Sequence, residues 1–255
     1  MNRRIGILLV LLLALLAANL FLLATPTNHS RLSVGGSEFT VHAPERRGAI
    51  TRWGANSFSF EIQDGDRWAS APESKGERAE LSSQTYAQPG QSIELAYDLK
   101  IVEAGSMDGP ARLILSQLHG PDRPTLPEGD DFIYPPFVVN LEGDKLLFTI
   151  RSGTIEAGRG PDLVVAEIPA NRGEWQRLRY CVTLGTDAGA VIYQNGERAG
   201  QYLGPVGYDA GDQNHYWKLG TYRFDETGVT RADFRNISVR LKNSCDLQVP
   251  VAGQS

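Results

Sequence analysis

Hydrophobic residues recur at every second position along most of this chain. Ser57 to Ile62 sets Phe58, Phe60 and Ile62 on one face of an extended segment. From Ser92 to Val102, Ile93, Leu95, Tyr97, Leu99 and Ile101 alternate with mostly polar residues. From Glu174 to Leu184, Leu178, Tyr180, Val182 and Leu184 alternate with Arg177, Arg179, Cys181 and Thr183. Successive side chains of a strand point to opposite faces, so runs of period two predict half-buried strands. Ala190 to Tyr202 carries Asn195-Gly196 between two strand-like pieces, a dipeptide suited to a tight hairpin turn. Lys145 to Arg151 and Ala232 to Leu241 add further strands. The pattern amounts to about twelve strands of roughly 4–11 residues, the signature of a two-sheet all-β sandwich or jelly roll.

The N-terminus breaks this pattern. After the basic start Met1-Asn2-Arg3-Arg4, the run Ile5 to Ala24 contains one polar residue, Asn19. A basic start and an apolar run read as a secretory signal, and the run is also long enough to span a bilayer. Residues 1–24 are therefore expected to be a signal peptide or an N-terminal membrane anchor, with a possible tether through residues 5–24. Either places the rest of the chain in an extracytoplasmic space, secreted, periplasmic or anchored. Residues 25–30 read as a linker, 31–245 as one domain without a shift in composition, and 246–255 as a loose tail.

Composition narrows the function. With 27 glycines and 14 prolines among 255 residues, turns are frequent and long helices are disfavoured. The formal net charge is −5, which argues against a nucleic-acid partner. There are 4 histidines and 2 cysteines, and no CxxC, so a cysteine zinc site of that spacing is excluded. Outside the cytoplasm, Cys181 and Cys245 are expected to pair, against the plainer alternative of two free thiols.

Three strand-like motifs carry polar residues that share a face. In Arg78-Ala79-Glu80-Leu81-Ser82, Arg78, Glu80 and Ser82 point one way while Ala79 and Leu81 point to the core. In Gln117-Leu118-His119, the two polar residues share a face. In Tyr216-Trp217-Lys218-Leu219-Gly220-Thr221-Tyr222-Arg223, Tyr216, Lys218, Gly220 and Tyr222 lie together, opposite Trp217, Leu219 and Thr221. Each motif alone fits a solvated sheet face: an ion pair, a surface histidine, ordinary strand tyrosines. Side by side, the three strands would floor a groove with Arg, Glu, Gln, His, Lys and Tyr.

In this order, RAELS, QLH and YWKLGTYR resemble the polysaccharide lyases of the heparin lyase I, glucuronan lyase and alginate lyase group. Those families carry an R-x-E-L strand, a Q-x-H strand and a late Y-F-K-x-G-x-Y strand. Here Trp217 replaces the frequent Phe, and Leu219 the Ala usual in alginate lyases. The ending Tyr222-Arg223 is closer to the heparin lyase I and glucuronan lyase branch. The resemblance implies a β-jelly roll, a concanavalin-like sandwich, and cleavage of an anionic uronic-acid polysaccharide by β-elimination. Such an enzyme takes the C5 proton of a uronate and expels the C4 oxygen, leaving an unsaturated sugar. Cationic and amide groups must neutralise the carboxylate and hold the enolate. Arg78 and Gln117 suit that task, and His119 can share it or act as a base. The resemblance assigns the main proton transfer to Tyr222, whose phenolate needs nearby charge from Lys218 or Arg78. Glu80 is expected to orient Arg78, and Tyr216 and Arg223 to contact the substrate.

The alternatives differ in class. A non-catalytic carbohydrate-binding, lectin-like module needs exposed aromatics but no convergence of His, Tyr and Arg. A glycoside hydrolase needs paired carboxylates; the nearest pair on one run is Glu94 and Asp98. The proposed chemistry requires no cofactor. Glu128-Gly129-Asp130-Asp131 has the ligand types for structural calcium, although a solvated acidic loop is the plainer reading.

Overall fold

The computed structural model describes residues 25–73, 76–106, 113–120, 135–154, 158–208, 214–224 and 227–247. Among these the regular structure is entirely β. In chain order the strands begin with β1 (Arg31–Val34), β2 (Ser37–His42), β3 (Ile50–Gly54), β4 (Ser57–Ile62), β5 (Glu77–Ala87) and β6 (Ser92–Ser106). Next come β7 (Leu113–His119), β8 (Phe137–Glu142), β9 (Lys145–Ile150), β10 (Ser152–Thr154), β11 (Gly158–Arg159) and β12 (Leu163–Pro169). The last are β13 (Gln176–Thr183), β14 (Gly189–Gln194), β15 (Glu197–Leu203), β16 (Gly207–Tyr208), β17 (His215–Arg223) and β18 (Thr227–Lys242).

An eight-stranded sheet has the order β1-β2-β5-β17-β7-β8-β9-β12, and a seven-stranded sheet the order β15-β14-β13-β6-β18-β4-β3. The pairs within both are antiparallel. The small sheet β11-β10-β16 completes the pairing. The two large sheets bury their alternating apolar faces against each other, which is the favoured solution for one-sided sheets. Phe58, Phe60, Leu95, Leu99, Leu178 and Val182 are fully buried, as their alternation predicts. Asn195 (φ 52°) and Gly196 (φ 92°) make the expected two-residue turn between β14 and β15.

Among the described residues eighteen strands replace the expected twelve or so, chiefly because short pieces such as β10, β11 and β16 carry too few residues to show a period. Two strands, of 15 and 16 residues, exceed the expected lengths. Their register slips at three places, and such bulges let a long strand bend with its sheet. Residues expected as a linker are tied in: His29 N–H donates to Val41 O (2.8 Å), and Val41 N–H to Ser30 O (3.0 Å).

One polar knot crosses the core. Ser116 on β7 bonds to the Tyr180 hydroxyl on β13, and Tyr180 donates to the Tyr97 hydroxyl on β6 (3.0 Å). Burial pushes the Tyr97 phenol up to about 12, and it raises Tyr180 too. Both stay neutral and serve as hydrogen-bonding groups. The knot joins the two sheets at Ser116, the residue before Gln117.

Candidate active site

The three motifs occupy neighbouring strands, β5, β17 and β7, on the outward face of the eight-stranded sheet. Register arranges them in rows. Tyr216 stands between Tyr86 and His119. Lys218 stands between Ser82 and Gln117. Gly220 is opposite Glu80, with His42 beyond on β2. Tyr222 stands between Arg78 and Ile114. Between Leu219 and Tyr222 the pairing with β7 slips. Gly220 sits in that irregularity at φ 143°, where an added Cβ would lie 2.2 Å from the Ala79 carbonyl oxygen. Only glycine fits there.

Glu80 is the hub. Its Oε1 accepts from Gln117 Nε2 at 2.6 Å, and its Oε2 lies 3.9 Å from Arg78 Nη1. The Arg78 guanidinium rests 4.1 Å from the centre of the Tyr222 ring and 5.5 Å from that of Trp68. The Trp68 ring in turn stacks on His42 at 4.6 Å. His119 Nδ1 lies against the Gly120 carbonyl oxygen and 3.4 Å from the Tyr216 hydroxyl. A carbonyl only accepts, so Nδ1 carries the hydrogen and Nε2 keeps the lone pair. Lys218 is buried, with Nζ 5.8 Å from the centre of the Tyr216 ring.

Burial dominates the electrostatics. It lowers His119 to about 3, helped by Lys218, Arg78 and His42 and opposed by the Gly120 carbonyl. It lowers His42 to about 3 as well, helped by Lys218, Arg78 and His29. Both imidazoles are therefore neutral near pH 7. Burial raises the Tyr222 phenol, and Glu80 adds to the rise while Arg78 opposes it. Three buried atoms here have no hydrogen-bond partner among the described residues: His42 Nδ1, Arg78 Nε and Glu80 Oε2. Buried polar groups are normally satisfied, so such a cluster is suited to a polar ligand.

The structure gathers Arg78, Glu80, Gln117, His119, Tyr216, Lys218 and Tyr222 on one face. Within it, the tyrosine beside His119 is Tyr216. Tyr222 is six positions along the strand, on the order of 20 Å at the backbone. Its ring covers Gly76, where an added Cβ would come within 2.2 Å of Cε2. Arg223 is a correction. It shares the parity of Trp217 and points inward, fully buried, so it cannot contact a substrate in the groove. It donates to Glu77 (2.8 Å), Asp64 (3.2 Å), Thr230 Oγ1 (3.1 Å) and the Gly228 carbonyl (2.8 Å).

His42 and Trp68 were missed by sequence reasoning. Alternation along Ser37–His42 marks His42 as outward, but nothing local shows that β2 lies beside β5. Trp68 sits in a turn segment without a period.

Glu94 and Asp98 lie on the other sheet, bound to Arg179 (3.1 Å) and Arg235 (3.1 Å), and do not form a hydrolase pair at the groove. Among the described residues, no group of three or more His, Cys, Asp or Glu could hold a metal ion. The acidic run Glu128 to Asp131 lies outside the described residues. Cys181 and Cys245 are joined, packing with Val191 apart from the main core.

Two antiparallel sheets packed face to face, with a tyrosine-bearing polar groove on one of them, make a jelly roll. The polysaccharide lyase family profile matches residues 29–237, and the chain belongs to that family. Solved structures share the fold at low identity. Family 7 alginate lyase A1-II' is 15% identical, with 79% of this chain and 94% of that chain covered and a TM-score of 0.58. The endo-β-1,4-glucuronan lyase from the fungus Trichoderma reesei is 14% identical, with 79% and 86% covered and a TM-score of 0.59. The alginate lyase from Corynebacterium sp. is 15% identical, with 74% and 78% covered and a TM-score of 0.51. No curated protein matches the chain.

Proposed function

We propose that this polysaccharide lyase is exported and cleaves an anionic, uronic-acid-containing polysaccharide by β-elimination. The observation that carries the reading is the Arg78 guanidinium held over the Tyr222 ring at 4.1 Å, with Glu80 bridging Arg78 to Gln117. Arg78 and Gln117 neutralise the uronate carboxylate and stabilise the enolate. Tyr222 takes the C5 proton in its phenolate form, which grows toward alkaline pH because burial raises the phenol; the C4–C5 double bond forms as the C4–O bond breaks. The phenol then returns that proton to the leaving oxygen. Lys218 adds positive charge, and neutral His119 offers Nε2 as an acceptor. Glu80 holds Gln117 and Arg78 in place. These steps use no cofactor. Glucuronan and alginate, named for the structural neighbours, are the first substrates to offer. Export is supported by the apolar run 5–24 and the Cys181–Cys245 bridge.

A second reading is favoured by one contact, that of Tyr216 with His119 at 3.4 Å, which gives the proton transfer to Tyr216. Glucuronan, alginate, heparan-type chains and pectate should be offered while the ultraviolet absorbance of the new double bond is followed. Tyr222→Phe keeps the ring and is expected to lower kcat about 10²–10⁴-fold with little change in KM. Tyr216→Phe is expected to change KM modestly. The reverse pattern would transfer the role to Tyr216. Tight binding of a uronan without unsaturated product would identify a carbohydrate-binding module.

A further inference from the structure

We infer that Trp68 and Asn28 are positioning residues of the active site: Asn28 fixes the Trp68 ring, and that ring is the common seat of Arg78 and His42. This inference rests on the lyase reading above, because it concerns the aim of Arg78 at the substrate carboxylate.

Arg78 needs such a seat. Among the described residues its ion-pair contact to a carboxylate is a long one, 3.9 Å to Glu80, and its Nε has no hydrogen-bond partner. A guanidinium held so loosely would sample several rotamers. Two aromatic faces restrict it instead, Tyr222 at 4.1 Å and Trp68 at 5.5 Å. Cation–π contacts of this length hold a cation in place without using its N–H donors. Apart from the contact with the Tyr222 hydroxyl, those donors stay available for a carboxylate.

Trp68 also holds His42. The two rings stack at 4.6 Å with an interplanar angle of 25°. His42 Nδ1 is buried and has no hydrogen-bond partner among the described residues, so the stack on Trp68 restrains how its ring is turned. One indole thus sets the direction of two groups that face the groove.

The indole is pinned from behind. Trp68 Nε1 donates to Asn28 Oδ1 at 3.0 Å. The same oxygen accepts from Ala43 N–H at 3.2 Å, which ties the contact to the end of β2. Asn28 Nδ2 donates to Ser70 Oγ at 2.9 Å, and Ser70 Oγ bonds His29 Nε2 at 2.6 Å. Ala69 N–H donates to Ala43 O at 3.2 Å, fixing the backbone beside Trp68. Asn28 is therefore shared by β2 and the Trp68 turn, and it stands one layer behind the groups that would meet the sugar.

The test uses full-length variants: Asn28→Ala, Asn28→Asp, Trp68→Phe and Trp68→Leu. Asn28→Asp keeps an oxygen acceptor for Trp68 Nε1 and Ala43 N–H, whereas Asn28→Ala removes it. Trp68→Phe keeps a ring under the guanidinium, whereas Trp68→Leu does not. A misplacement near 1 Å can cost about 10²-fold, so Asn28→Ala and Trp68→Leu are expected to lower kcat roughly 10–100-fold, with KM changed less. Asn28→Asp and Trp68→Phe should recover most of that loss. Rates are measured well below each variant's unfolding midpoint, so that lost stability does not mimic lost aim. Wild-type kcat in Asn28→Ala and Trp68→Leu would overturn the inference, and so would equal losses in the conservative and non-conservative variants. If the wild type yields no unsaturated product from any uronan, the lyase reading itself has failed, a result distinguishable from either outcome in the variants.

Discussion

Replacing Arg223 with Met removes a buried cation and should act on stability, not on substrate binding. The guanidinium is fully buried and makes four hydrogen bonds. Removing it strands its carboxylate partners unequally. Asp64 is 65% exposed on its side chain and recovers its lost bond from water. Glu77 is 11% exposed and keeps the Gly65 N–H contact at 2.5 Å. An uncompensated buried charge of this kind costs about 3–5 kcal/mol; the Gly65 contact sets the expectation near the lower end, about 3–4 kcal/mol. For a domain of this size that lowers the unfolding midpoint by roughly 6–16 °C. Adding Glu77→Gln removes the stranded charge while keeping an oxygen for Gly65, so the double variant should unfold above Arg223→Met alone. Circular dichroism gives the midpoints, and kinetics well below both of them give KM. An unchanged midpoint with a clearly raised KM would refute the reasoning and return Arg223 to the substrate.

Four further outcomes follow from the geometry. Between pH 6.5 and about 3, the unfolded chain protonates His42 and His119 while the native state resists, so their contribution to stability falls as pH drops through that window; urea unfolding at several pH values in that range, compared with His42→Gln, measures it, and identical slopes would contradict it. For the same reason no ionisation near 6.5 should appear in kcat/KM, and the raised Tyr222 phenol predicts a rise toward alkaline pH. Replacing both Cys181 and Cys245 by Ser opens a loop of sequence separation 64 and should cost about 4 kcal/mol in the chain-entropy view, with kcat retained at low temperature. Gly220→Ala forces a Cβ to within 2.2 Å of the Ala79 oxygen and should reduce the yield of folded protein, read by circular dichroism.

Much of the site was legible because a strand has only two faces. Once Leu81, Leu118 and Trp217 are assigned to the core, Arg78, Glu80, Gln117, His119 and Lys218 must share the outward side. The same parity marks Arg223 as inward, beside Trp217, although it was expected at the substrate; four hydrogen bonds make burial tolerable, and the two to carboxylates come from segments distant in sequence. Strand order was not legible. Nothing within Ser37–His42 reveals β5 as its neighbour, so His42 stayed outside the expected set. The pairing of Tyr216 with His119 likewise depends on the register between β17 and β7, which parity leaves open by steps of two.

The covalent staple and the chemistry reside on different sheets. Cys181 and Cys245 close on the outer side of the seven-stranded sheet, whereas Arg78, His119 and the tyrosines line the other. Selection can therefore act on ruggedness and on substrate choice through separate sets of positions. A lineage that acquires a harsher habitat can strengthen the stapled face while its specificity stays put, and one that changes diet can revise the groove without loosening the clamp.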